Sequence, residues 1–114
     1  MKTSRSPLAW EKRYEQLRQS LARVGYISNG SVLDRTQLKD PRAGYQWTRK
    51  IGQKTITVAL SLEQFEAMKQ AVQNGRRLRK TIREMETLSR RILFETLPDT
   101  RRFKPLSKRD LRLI

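Results

Sequence analysis

Apolar residues recur along this chain in two rhythms, a helical one near both ends and a strict alternation in the middle. After Ser6-Pro7, the residues Trp10, Tyr14, Leu17, Leu21 and Val24 follow one another at spacings of 4, 3, 4 and 3, which keeps them on one helical stripe. A Ser side chain can accept the free N–H groups of a helix start, and Pro at the first helical position loses no hydrogen bond. With Gly25 as a left-handed cap, the pattern predicts a first helix over 7–24.

The alternating segment is Tyr45-Gln46-Trp47-Thr48-Arg49-Lys50, a turn around Gly52-Gln53, and Thr55-Ile56-Thr57-Val58-Ala59-Leu60. Strand side chains point to opposite faces in turn, so Ile56, Val58 and Leu60 share one face with Tyr45 and Trp47. That face is expected to pack on the helix that follows. The other face would carry Gln46, Thr48, Lys50, Thr55 and Thr57, with Arg49 and Lys54 flanking the turn. A weaker strand is predicted over about 31–36, followed by a polar turn at Lys39-Asp40-Pro41-Arg42.

Ser61-Leu62-Glu63-Gln64 fits a capping box, and Leu60 and Phe65 occupy the positions of a hydrophobic staple. A long helix over 61–96 is predicted, with Asn74-Gly75 as the point where it could kink or end. At about 100° per residue, Ile82, Met85, Ser89, Ile92 and Leu93 fall within about 60° of Leu78, with Leu88 just outside. Arg76, Arg79, Lys80, Arg83, Arg90 and Arg91 occupy an arc between about 100° and 220°, from which Glu84, Glu86 and Glu95 are absent. These elements predict an α+β fold: an N-terminal helix, a small antiparallel sheet of two or three strands, and a long C-terminal helix packed on the sheet. The expected layout is a disordered basic arm over 1–6, a single domain over 7–97 with one core, and a basic tail over 98–114.

Composition narrows the function classes. The net charge of +15 on 114 residues favours a polyanionic partner. The excess is uneven: residues 76–114 hold 13 basic and 5 acidic groups. With no cysteine and no histidine, zinc fingers, imidazole bases and thiol nucleophiles are excluded. No spaced acidic set, glycine-rich phosphate loop or secretory signal is present, so no catalytic residue, metal or cofactor is expected, and the chain reads as a cytoplasmic non-enzyme. An all-positive helix face would be unusual as a plain solvated surface, because like charges three or four residues apart are unfavourable, and Arg suits bidentate phosphate contact. A two-stranded ribbon can also enter the major groove and read base edges with Gln, Lys and Thr. For Tyr45 and Trp47, packing in the core competes with stacking on unpaired bases.

The run from Gly44 to Gln64 resembles a small prokaryotic family of uncharacterised domains met near transposase-type genes. The shared features are a tyrosine before Thr48-Arg49-Lys50, a Gly-x-Lys-Thr turn at Gly52 to Thr55, and a Leu-Ser-x-Glu helix start at Leu60 to Glu63. The resemblance spans about 31–93. Many members carry a cysteine cluster ahead of the tyrosine, where this chain has Lys39 to Gly44, so no metal role is carried over. The order of three strands and a helix also resembles the arm-type DNA-binding domain of tyrosine integrases. That likeness implies that Gln46, Thr48, Lys50, Thr55 and Thr57 face bases, with Arg49 and Lys54 near phosphates. The reading expected is non-enzymatic binding of duplex DNA by the hairpin and the arginine arc, as an accessory factor of a mobile element or phage. An RNA or ribonucleoprotein component and a helical protein-interaction module stand as alternatives. The expected partners are nucleic acid, DNA before RNA, and a second copy or a larger nucleoprotein complex, with no membrane and no small-molecule substrate.

Overall fold

The computed structural model describes residues 6–98 and Arg109; the arm over 1–5 and the rest of the tail beyond Pro98 lie outside the described residues. The order of elements is α1 (Pro7–Leu21), β1 (Ser31–Asp34), a 3₁₀ turn (Arg35–Gln37), β2 (Tyr45–Ile51), β3 (Lys54–Leu60) and α2 (Leu62–Thr96). This is the α+β arrangement expected: an N-terminal helix, a three-stranded antiparallel sheet in the order β1-β2-β3, and a long C-terminal helix. The chain divides into two compact units. Among the described residues, the helical unit comprises 6–23 and 79–98, and the sheet unit spans Val24–Leu78, so α2 contributes a half to each.

In the helical unit, α1 starts as its sequence demands: the Ser6 hydroxyl accepts the Ala9 N–H at 3.1 Å and Pro7 opens the helix. It ends earlier than expected, at Leu21 rather than 24. Ala22 closes it in right-handed geometry, and Gly25 is not among the glycines of positive φ, so the predicted left-handed cap does not form. Trp10 and Leu17 of α1 and Leu88 of α2 are buried together, with Tyr14, Met85 and Ile92 packed against them. Arg13 and Glu84 add a two-bonded ion pair between α1 and α2, at 2.9 and 3.2 Å.

Local chemistry also fixes the sheet unit. Gly52 takes φ +62 at the first central position of a two-residue turn, while Gln53 stays at negative φ, the requirement of a type II′ hairpin. The strands reach one residue closer to this turn than expected, to Ile51 and Lys54. β1 is shorter than the predicted 31–36 because Asp34 turns the chain: its carboxylate accepts the Thr36 N–H at 3.0 Å and begins the 3₁₀ turn. Gly30 sits at φ +85, where a Cβ would come within 2.4 Å of the Thr48 carbonyl oxygen, so only glycine fits.

The α2 capping box forms in both directions: Gln64 N–H donates to the Ser61 hydroxyl at 3.1 Å, and Ser61 N–H donates to the Gln64 side-chain oxygen at 3.0 Å. Tyr45 of β2 stacks on Phe65 of α2, with ring centroids 4.5 Å apart. Asn74-Gly75, read from sequence as a place to kink or stop, lies inside one unbroken helix. The reason is tertiary. The Ser28 N–H donates to the Ala71 carbonyl at 3.0 Å, and the Asn74 amide donates to the Tyr26 carbonyl at 2.9 Å. Ala71 and Gly75, one turn apart, are both buried.

Candidate nucleic-acid interface

Two surfaces hold the cationic and polar side chains that the sequence singled out, one in each unit. In the helical unit, the C-terminal half of α2 is clamped through the side bearing Leu88, Met85 and Ile92. Arg79, Lys80 and Arg83 are left exposed, and no ion pair engages any of them among the described residues. Of the two acids that flank this arc, Glu84 is turned to α1, while Glu86 on the other side is exposed with no ion pair among the described residues. Hydrogen bonds from Arg13 hold the Glu84 carboxyl below the usual glutamate range, with burial opposing and the charges of Arg13 and Lys80 adding to the effect. One of the two flanking carboxylates is thus committed elsewhere, although Lys80 feels it.

Arg90 and Arg91 depart from the expected picture, since both are half-buried. The Arg90 Nε is shielded without a hydrogen-bond partner among the described residues, and its Nη2 reaches the Thr87 hydroxyl only at 3.5 Å. The helical period alone puts Arg90 inside the free arc, but a guanidinium on a long stem can lie down along its own helix. The cationic surface of this unit is therefore Arg79, Lys80 and Arg83, with Arg91 at its margin. Arg76 is exposed as well and belongs to the half of α2 in the sheet unit.

The predicted apolar stripe is also only partly used. Ile82 and Leu93, expected inside, are 41% and 52% exposed. α1 is a single helix of 15 residues, and its packed row covers one side of the stripe, so the other side stays open.

In the sheet unit, register divides the predicted hairpin residues. Gln46 pairs with Ala59, Thr48 with Thr57 and Lys50 with Thr55, so Gln46, Thr48, Lys50, Thr55 and Thr57 do share one face. Arg49 and Lys54 pair with Ile56 and Ile51, which sets them on the opposite, apolar face at the turn end of the hairpin. The Arg49 Nε is shielded there and has no partner among the described residues. Of that apolar face, Tyr45 is covered by Phe65, and the Trp47 indole N–H donates to the Asn29 carbonyl at 2.9 Å. Ile56 and Val58 remain 38% and 43% exposed, against the expectation that their face packs fully.

Arg35 belongs to the polar surface and was missed. Its Nε donates to the Gln46 side-chain oxygen at 3.4 Å, which leaves the Gln46 NH₂ group free to donate outward. Alternation held the signal, because Ser31, Leu33 and Arg35 are two residues apart and the register of β1 places Leu33 beside Gln46. Hydrogen bonds of its backbone to Gly44 and Arg42 hold Arg35 in place, at 2.9 and 3.2 Å.

No group of acidic residues among those described is arranged to hold a metal ion, and no described helix is long and apolar enough to cross a membrane. A scan against protein-family models and searches of curated proteins and solved structures found no match for the chain.

Proposed function

We propose that this chain is a non-catalytic nucleic-acid-binding protein whose preferred ligand is duplex DNA. The observation that carries the reading is the exposed group Arg79, Lys80 and Arg83, unpaired among the described residues on a face of α2 from which Arg13 draws Glu84 away. Guanidinium groups without carboxylate partners exchange water for phosphate oxygens at small desolvation loss, and the release of condensed counterions drives the exchange. The polar sheet face supports the same reading, since Gln46, Thr48, Lys50, Thr55, Thr57 and Arg35 are the side-chain types that hydrogen-bond base edges and backbone. An accessory role beside a transposase-type enzyme belongs to the same proposal and rests on the resemblance of Gly44 to Gln64.

The test is binding to fluorescent duplex DNA over a series of salt concentrations. With about six phosphates neutralised, the log-log slope is expected near −5. A flat response would remove the basis of the proposal. One observation favours single-stranded RNA: Tyr26 is 93% exposed and offers a ring on which a base can stack. Direct competition between duplex DNA and single-stranded RNA decides the point, with duplex DNA expected to win and Tyr26→Ala expected to leave duplex affinity unchanged.

A further inference from the structure

β3 is an edge strand, and its free edge carries almost none of the features that keep such edges from pairing. It runs for seven residues without proline or acid, its only charge is Lys54 at one end, and its pairing with β2 is continuous from Ile51↔Lys54 to Tyr45↔Leu60 without a bulge. All of it except Leu60 is exposed. The other edge is different. β1 has four residues, and the Asp34 carboxylate that ends it is bonded to Thr36.

The hairpin fixes which backbone groups face outward. A two-residue turn closes on a hydrogen-bonded pair, here Ile51 and Lys54, and the pattern alternates along an antiparallel ladder. Lys54, Ile56, Val58 and Leu60 therefore bond to β2. Thr55, Thr57 and Ala59 turn their N–H and C=O groups to the open edge, where no backbone partner is found among the described residues.

We infer that this edge is a self-pairing surface, and that its occupant is β3 of a second copy, antiparallel about a twofold axis through Thr57. The register is self-complementary. Thr57 faces Thr57 of the second copy, Thr55 faces its Ala59, and about six main-chain hydrogen bonds close the ladder. Ile56 then lies opposite the second copy's Val58, so the two exposed apolar side chains of each chain cover one another. Charge does not oppose this pairing locally, because each Lys54 faces a Leu60 and the two lysines end about 20 Å apart, well beyond a Debye length of about 8 Å. An unrelated extended peptide could use the same hydrogen bonds, but it would lack this matching of Thr to small and Ile to Val. The inference stands independently of nucleic-acid binding. Where both hold, the polar faces of two hairpins join into one surface with Thr55 and Thr57 at its centre.

Because the chain has no cysteine, the pairing can be trapped. In a hydrogen-bonded antiparallel pair the Cα atoms are about 5.5 Å apart and the side chains share a face, well within reach of a short bismaleimide. Thr57→Cys treated with a short bismaleimide is expected to run as a covalent dimer, while Thr48→Cys, on β2 away from the edge, stays monomeric. Sedimentation of the unmodified chain is expected to give a dimer, and Thr57→Pro, which deletes an N–H that the hairpin does not use, to give a folded monomer. The inference is overturned by an unmodified chain that stays monomeric up to millimolar concentration, or by Thr57→Cys cross-linking no faster than Thr48→Cys. A dimer that Thr57→Pro leaves intact would overturn it equally.

Discussion

Replacing Arg79, Lys80 and Arg83 together by Gln removes three positive charges from an exposed helix face and leaves the packed row of Leu88, Met85 and Ile92 untouched. Each phosphate contact adds about 0.9 to the log-log salt slope, so loss of three lowers the slope by about 2.7. The same term sets the affinity. At 0.1 M salt each contact is worth about 0.9 decade relative to 1 M, so the triple variant is expected to bind about 500-fold more weakly, or about 3.7 kcal/mol. At 1 M salt the two proteins should converge. Fold stability moves in another direction, because Arg79 and Arg83 are four apart and Lys80 and Arg83 three apart, like charges that destabilise a helix by about 0.2–0.5 kcal/mol per pair. Removing them while losing the favourable Lys80–Glu84 interaction leaves stability unchanged or raised by less than about 0.5 kcal/mol. The assay is fluorescence anisotropy with duplex DNA over a salt series, paired with urea unfolding of both proteins. A weaker affinity with an unchanged salt slope would refute the reasoning, because the side chains would then act by something other than phosphate contact. Unchanged affinity would refute it too, by showing the arc to be only a solvated surface.

Other perturbations test the frame that holds these surfaces. Leu88→Ala opens a cavity between Trp10 and Leu17 and is expected to destabilise the protein by about 2–5 kcal/mol in urea unfolding. Gly52→Ala meets no atom within 4 Å, so only its positive φ opposes it, at about 1–2 kcal/mol. Gly30→Ala also runs into the Thr48 carbonyl and should be clearly the worse of the two by the same measurement. The Glu84 carboxyl, followed by NMR titration, should titrate below the usual glutamate range and return towards it in Arg13→Gln. A depressed carboxyl pKa means that the Arg13–Glu84 pair stabilises the fold at neutral pH and that this contribution fades as pH falls through the folded-state pKa. The pair is half exposed, so the effect should stay below about 1 kcal/mol.

Much of the local structure was legible because it rests on neighbours in the chain. Ser6-Pro7, Ser61-x-x-Gln64 and Gly52-Gln53 each contain both halves of their own interaction, and each forms as read. The faces that make up the candidate site were legible in part for the same reason. Alternation alone was enough to gather Gln46, Thr48, Lys50, Thr55 and Thr57 on one face, and the helical period picked out Arg79, Lys80 and Arg83. The period does not capture Arg90, whose long stem lets the guanidinium leave the direction set by its Cα.

What this sequence determined by itself is therefore the kind of each element, the turn that joins β2 to β3, and which residues share a face, since 3.6- and 2-residue periods follow from backbone geometry. Tertiary structure alone decided how much of each face is covered. α1 closes over Leu88 and leaves Ile82 and Leu93 open, the linker at Tyr26–Ser28 keeps Asn74-Gly75 helical, and the Asp34 turn brings Arg35 beside Gln46. A period names a direction along one element. The identity and width of what lies in that direction come from residues far away in the chain, and those are chosen only when the chain has folded.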